Sequence, residues 1–205
     1  MSLANVTSTL TEVRPHWLLD RIGKPIDKNM HATLQITAAS EGTSHPWYND
    51  NDGSIRIPGG TLMAIVTSGG LAVPCTRTSF SAGGQTADTT ITVNNAAVFK
   101  VGGEIGNAGA NQTISSIVYS TGVITVDTAF GADLTGDVYD TANAGNETAY
   151  GLLTEDVILV GGASNTPKIT CAIETRCIVD ESRVNDAKTI TATAKTSLGA
   201  RIEFR

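Results

Sequence analysis

Pro58-Gly59-Gly60-Thr61-Leu62-Met63-Ala64-Ile65-Val66-Thr67-Ser68-Gly69-Gly70-Leu71-Ala72-Val73-Pro74 reads as two short apolar strands joined by a glycine turn and closed by proline. Glycine supplies the backbone freedom of a tight reversal, and proline ends a ladder because it has no N–H to donate. A matching piece, Ala149-Tyr150-Gly151-Leu152-Leu153-Thr154-Glu155-Asp156-Val157, opens a further set of strands. The stretch between them, residues 79–148, reads as a small β-module in its own right. A chain absorbs an insertion of that size at a surface loop, where the entropic cost of a longer connection is small. The expected organisation is therefore an extended N-terminal arm (1–57), a discontinuous β domain (58–78 and 149–205) and an inserted β-module (79–148).

Composition agrees with a mainly β fold. The chain is 40% apolar and only 17% charged, rich in Thr, Val and Ile, with 21 glycines to make turns. Within the insert, Thr89–Val93, Phe99–Ile105, Thr113–Tyr119 and Val123–Asp127 are short strand candidates separated by Asn-Asn and Ser-Thr-Gly turns. In the outer frame, Val157–Val160, Ile169–Val179 and the alternating Thr189–Lys195 read as strands. Residues 182–188 offer at most one helical turn. The arm is broken by Pro15, Pro25 and Pro46 and by Asn49–Gly53, and holds one alternating segment, Ala32–Ala38. Both tryptophans, Trp17 and Trp47, lie in it. Large aromatics in a segment without its own core either anchor to a partner or fold back onto the same subunit.

The formal charge of −6 argues against a nucleic-acid partner. Residues 101–167 contain no Lys or Arg, whereas basic residues gather in the arm and after residue 167. This is an acidic solvated face, or an acidic outward end opposed to a basic docking end. No apolar run approaches the roughly 20 residues of a membrane span, and no signal peptide is visible, so production in the cytosol is expected. Cys171 and Cys177, if on one continuous strand, stand about 20 Å apart, too far to bridge each other; buried free thiols are expected, with a bridge from Cys75 to one of them as the alternative.

No catalytic pattern emerges. His16, His31 and His45 have no partner at metal-ligand spacing and read as surface residues. Asp50-Asn51-Asp52-Gly53 is half a calcium loop without its closing acidic residue. Glu155-Asp156 and Asp180-Glu181 are adjacent, hence on opposite faces of a strand, and make no acid–base pair. The glycine pairs stand at turns and match no phosphate or dinucleotide loop. An enzyme is not expected, nor a cofactor or bound metal.

The order Gly60-Thr61-Leu62-Met63, then Thr67-Ser68-Gly69-Gly70-Leu71-Ala72-Val73-Pro74, then Ala149-Tyr150-Gly151-Leu152-Leu153, then Asp156-Val157, resembles the head decoration (cement) proteins of tailed bacteriophages, the lambda D-like family. The resemblance covers residues 58–78 and 149 to about 186. It implies a small β-rich, barrel-like domain that forms homotrimers on the outside of the virion head. There it would bind the major capsid protein through an N-terminal arm and hold the expanded shell against DNA pressure, with no part for nucleic acid or membrane. The expected capsid contacts are Trp17, Leu18 and Leu19, flanked by Arg14 and Arg21, with Leu34 and Ile36 of the alternating segment. The competing class is a phage fibre or surface β-domain that binds carbohydrate through its acidic, Thr- and Asn-rich insert, whose aromatics are Phe99, Tyr119, Phe130 and Tyr139.

Overall fold

The computed structural model describes residues 17–22, 26–30, 45–49, 54–107, 109–142, 144–159, 169–184 and 190–205. The fold is mainly β. Its centre is a closed barrel of β2 (Ile26–Met30), β5 (Leu62–Ile65), β6 (Ala72–Pro74), β12 (Ala149–Leu153) and β14 (Ile169–Glu174), in the order β12-β14-β2-β6-β5. The opening hairpin of the sequence argument is present as β5 and β6, paired from Met63↔Pro74 to Ile65↔Ala72. Gly69 and Gly70 turn it with φ of 86° and 63°, values that residues with a Cβ resist.

The barrel wall is buried on both faces. Leu62, Ala64, Val73 and Leu152 join one apolar cluster, and their neighbours Met63, Ala72 and Leu153 join another. This is the period-two alternation of a strand with apolar residues on both sides. The first cluster extends into a sheet of β1 (Leu18–Arg21), β15 (Cys177–Val179) and β16 (Ile202–Phe204), ordered β1-β15-β16. The second extends into a sheet of β3 (Tyr48–Asn49), β4 (Ser54–Ile57) and β13 (Val157–Leu159), ordered β13-β4-β3.

Three expectations are corrected here. The segment 1–57 does not stand apart as an arm throughout. Its described parts supply β1 to β4, and β2 closes the barrel by pairing antiparallel to β14 and parallel to β6. Nor is the described part of Thr189–Lys195, from Ile190 onward, a strand. The Thr191 hydroxyl accepts the Ala194 N–H at 3.2 Å and caps α1 (Ala192–Leu198), which packs on β12. Buried Ala194 and Leu198, one turn apart, give this helix its apolar face. The long strand expected over 169–179 is also interrupted: β14 and β15 lie in different sheets, separated at Thr175 and Arg176. All three cysteines are buried and outside any disulfide.

The five strands β7 (Phe80–Gly83), β8 (Thr90–Val93), β9 (Glu104–Asn107), β10 (Ala110–Val118) and β11 (Val123–Val126) form one sheet, ordered β7-β8-β11-β10-β9. It has its own core of Ile91, Phe99, Ile105, Ile114, Ile124, Phe130 and Val138. The chain enters and leaves through a paired stem. Thr78 and Val138 exchange backbone hydrogen bonds at 2.9 Å in both directions, and Thr76 donates its N–H to the Asn146 carbonyl at 3.0 Å. Beyond Val138 the returning chain leans on the frame: Thr67 donates its N–H to the Ala144 carbonyl, and a Cβ on Gly145 would fall 2.6 Å from the Ile65 carbonyl oxygen.

Candidate functional site

Three places on the described surface carry features beyond core packing. The first is the edge strand β1. Among the described residues it pairs on one side, with β15. Its register slips between Leu18↔Val179 and Asp20↔Ile178, so Leu19 is the extra residue of a bulge. Leu19 is 48% exposed, and beyond the strand Ile22 is 61% and Ile26 39% exposed. Three of the five large exposed apolar side chains among the described residues thus fall between positions 19 and 26.

The expected contact residues divide across this strand. Trp17 and Leu18 are 1% and 5% exposed and belong to the cluster that holds Leu152, Val179 and Leu198. They face inward, so Trp17 and Leu18 as partner-facing anchors are corrected to core residues. The physical reason is the pairing of β1 with β15, which presses the start of the strand onto the frame's own apolar face. Leu19 is left outward by the bulge. The backbone of Arg21 stands opposite Cys177. Arg14, Leu34, Ile36 and the alternating segment Ala32–Ala38 lie outside the described residues, as do His16, His31 and Asp50–Gly53.

The second place is a joint centred on His45. Sequence reasoning placed this histidine on the surface; it is 2% exposed. Its Nδ1 accepts the Trp47 N–H at 3.0 Å, which leaves the proton on Nε2 to be donated to the Ala97 carbonyl at 3.1 Å. The ring meets Trp47 and Tyr119 edge-on, with centroids 5.5 and 4.5 Å away. His45 thus ties the 45–49 segment to the five-stranded module. Burial away from water pushes its pKa down to about 4, opposed by the hydrogen bond to Ala97. The spacing His45-Pro46-Trp47, where a ring nitrogen reaches a backbone N–H two residues on, was the available signal. Nearby, the Asp156 carboxylate accepts the Gly59 N–H at 2.7 Å and pairs with Arg56. The Gly59 N–H first, and Arg56 after it, hold its pKa below the usual carboxylate value against some burial.

The third place is a polar cleft of about 330 Å³ where the module meets its stem, lined by Asn107, Asn111, Tyr139, Asp140, Thr141 and Glu147. Tyr139 is held there by a bridge with Gly106, N–H to carbonyl in both directions, and the Arg77 guanidinium sits 5.0 Å from its ring centroid. Arg77 is itself fixed by the Glu147 carbonyl at 2.8 Å and faces Asp137 at 3.7 Å. Of the four aromatics considered for sugar binding, Phe99 and Phe130 are core residues and Tyr119 meets His45 edge-on. Tyr139 is the one that lines a cleft.

Among the described residues no group of three or more His, Cys, Asp or Glu side chains is placed to hold a metal ion. No described helix is long and apolar enough to cross a membrane. No family model, curated protein or solved structure matches the chain.

Proposed function

We propose that this chain is a capsid decoration protein: it binds the outside of an expanded phage head through its major capsid protein, as a homotrimer, and stabilises the shell against internal DNA pressure. The observation that carries the reading is the bulged edge strand β1, with Leu19, Ile22 and Ile26 exposed on or just beyond it. The pattern of small residues over 58–78 and 149–186 that resembles the lambda D-like family supports it, as does a barrel-centred frame. Decoration needs no catalytic residue; it needs a rigid body with a contact surface repeated by symmetry, so that several weak contacts act together. The bulge shapes how contact is made. A bulge disrupts a strand edge, so continuous strand addition is disfavoured there, and the aliphatic side chains carry the docking.

The test is decoration of expanded empty shells assembled from the partner capsid protein. Replacing Leu19 and Ile22 together by Asp puts two charges on the docking surface. Expected is loss of shell occupancy by tenfold or more, the factor that about 1.4 kcal/mol represents, with the free protein still folded. Full occupancy by the doubly charged variant would refute this surface, and a monomer at working concentration in sedimentation would refute the trimer.

A further inference from the structure

We propose that the docking surface at β1 carries an electrostatic selector, Arg176 with Arg201, and that the partner segment it accepts presents an acidic side chain beside an apolar one. The partner's identity follows the decoration reading; its chemistry follows from where the two arginines stand. The Ile22 N–H donates to the Arg176 carbonyl at 3.1 Å, which carries the β1–β15 register one step past Arg21↔Cys177. On the other side of β15, the parallel pairing with β16 begins at Cys177↔Ile202, so Arg176 and Arg201 are the residues just before that pair. The backbone thus sets Ile22, Arg176 and Arg201 abreast at one end of the sheet. All three are exposed, whereas Cys177 and Ile202, one residue on, are buried. That is the alternation of a sheet with one inward and one outward face.

Elsewhere the protein answers its cations. Arg56 pairs with Asp156, Arg77 with Asp137, Arg183 with Asp180, Lys195 with Glu181 and Arg205 with Glu203. Among the described residues no carboxylate is ion-paired with Arg176 or Arg201. Asp20 and Glu203 stand one row further along the sheet, and Glu203 is bonded to Arg205 at 2.8 Å. Like charges on neighbouring strands repel each other. Two arginines set side by side without a counter-charge gain when an anion arrives. Arg201 is also held in place: its Nε donates to the Leu198 carbonyl at 3.0 Å and its Nη2 to the Ser197 carbonyl at 3.3 Å, at the end of α1. Neutral carbonyls fix the group and leave its charge, so less side-chain freedom is lost on binding.

The neighbours of the pair select among anions. Ile22, 61% exposed, adjoins Arg176, and half-buried Ile178 lies on the same face. A phosphate backbone offers nothing to these aliphatic groups, and the formal charge of −6 opposes it. A protein segment bearing a carboxylate next to an apolar side chain satisfies both kinds of neighbour. The planar guanidinium bonds a carboxylate through two parallel N–H donors, while Ile22 and Leu19 meet the apolar side chain. The arginines then govern encounter rate and specificity, and the aliphatic contacts govern how long the complex lasts.

The experiment measures occupancy of expanded empty shells, assembled from the partner capsid protein, between about 50 and about 500 mM sodium chloride, a range over which screening shortens several-fold. The native chain is compared with Arg176→Gln, Arg176→Glu and Arg176→Lys, all at an exposed position and expected to keep the native denaturation midpoint. Native binding is expected to weaken as salt rises. Arg176→Gln should bind about fivefold more weakly at low salt with a flatter salt dependence, and Arg176→Lys should keep the native salt dependence. Arg176→Glu should lose about twentyfold at low salt and recover as salt rises, an inversion that a merely structural role would not produce. Native affinity and salt dependence in Arg176→Glu overturn the selector. So does capture of a single-stranded DNA oligonucleotide by the native chain that Arg176→Glu abolishes, which assigns the arginines to phosphate. Loss of occupancy in the Leu19, Ile22 double variant but not in Arg176→Glu refutes the selector and keeps the β1 surface. The reverse pattern refutes the aliphatic contact and keeps the acidic one. A native chain that decorates no shell overturns both.

Discussion

His45 is uncharged in the fold and charged at mildly acid pH in the unfolded chain, and that difference makes the joint acid-sensitive. Its pKa of about 4 lies below the ordinary 6.5, so between these values the unfolded state binds the extra proton. The joint's contribution is complete above pH 6.5 and falls with acidification, by up to about 1.4 kcal/mol per pH unit, levelling below pH 4. Denaturant unfolding at pH 7 and pH 5 is expected to show this loss for the native chain. His45→Asn should start less stable at pH 7 and show a shallower pH dependence; an unchanged slope would place the acid sensitivity elsewhere. Trp17 makes an independent test. As a core residue its replacement by Ala should cost about 3–5 kcal/mol of folding stability. Its effect on docking should follow from unfolding alone, so a normally stable Trp17→Ala protein would contradict its place in the core.

At the level of elements, what the sequence made legible follows from how local the signal is. The β5–β6 hairpin was readable because apolar runs, a glycine pair and a closing proline all lie within one short window. The module's strands were readable for the same reason: Thr90–Val93 and Val123–Val126 alternate, and their turns carry Asn or Gly. The helix α1 was missed because Thr189–Lys195 alternates like a strand over its first half. The decisive feature is the Thr191 cap, followed by Ala194 and Leu198 at helical spacing against β12. Thr191→Ala should therefore remove about 1 kcal/mol, measured as a lower denaturation midpoint with unchanged slope. Arm strands β1 and β2 were missed for another reason. Leu18–Arg21 and Ile26–Met30 have no pattern of their own, and their partners are far along the chain. The proposed docking residues were half legible: the apolar run Trp17-Leu18-Leu19 stood out, but only pairing with β15 decides which of the three faces outward. The cleft was not legible at all, since Asn111, Tyr139 and Glu147 meet only once the stem forms.

For the molecule as a whole, the stem decides where the module can be separated from the frame. Thr78 and Val138 already pair as neighbours, whereas residues 144–147 bond the chain just beyond β5 and β6, at Thr67, Thr76 and Arg77. Replacing 79–137 by a short Gly/Ser turn should thus leave a folded frame with one cooperative transition. Taking the cut on to residue 146 should destabilise it, because the Ala144 and Asn146 carbonyls that satisfy Thr67 and Thr76 are lost. Equal stability of the two truncations would show that the returning chain contributes nothing to the frame. The barrel also imposes an order in time. Ile26 of β2 pairs with Ile173 of β14, so the first strand of the barrel waits for the last before either has its full complement of bonds. The module between them closes through near neighbours such as Val118↔Val123. Loop-closure entropy makes the local pairings fast and the distant one slow. During synthesis the module is complete while the frame behind it is still an open sheet with its edges exposed. Newly made chains pass through a stage in which β14 of one can meet β2 of another, a natural occasion for neighbours to exchange their opening strands.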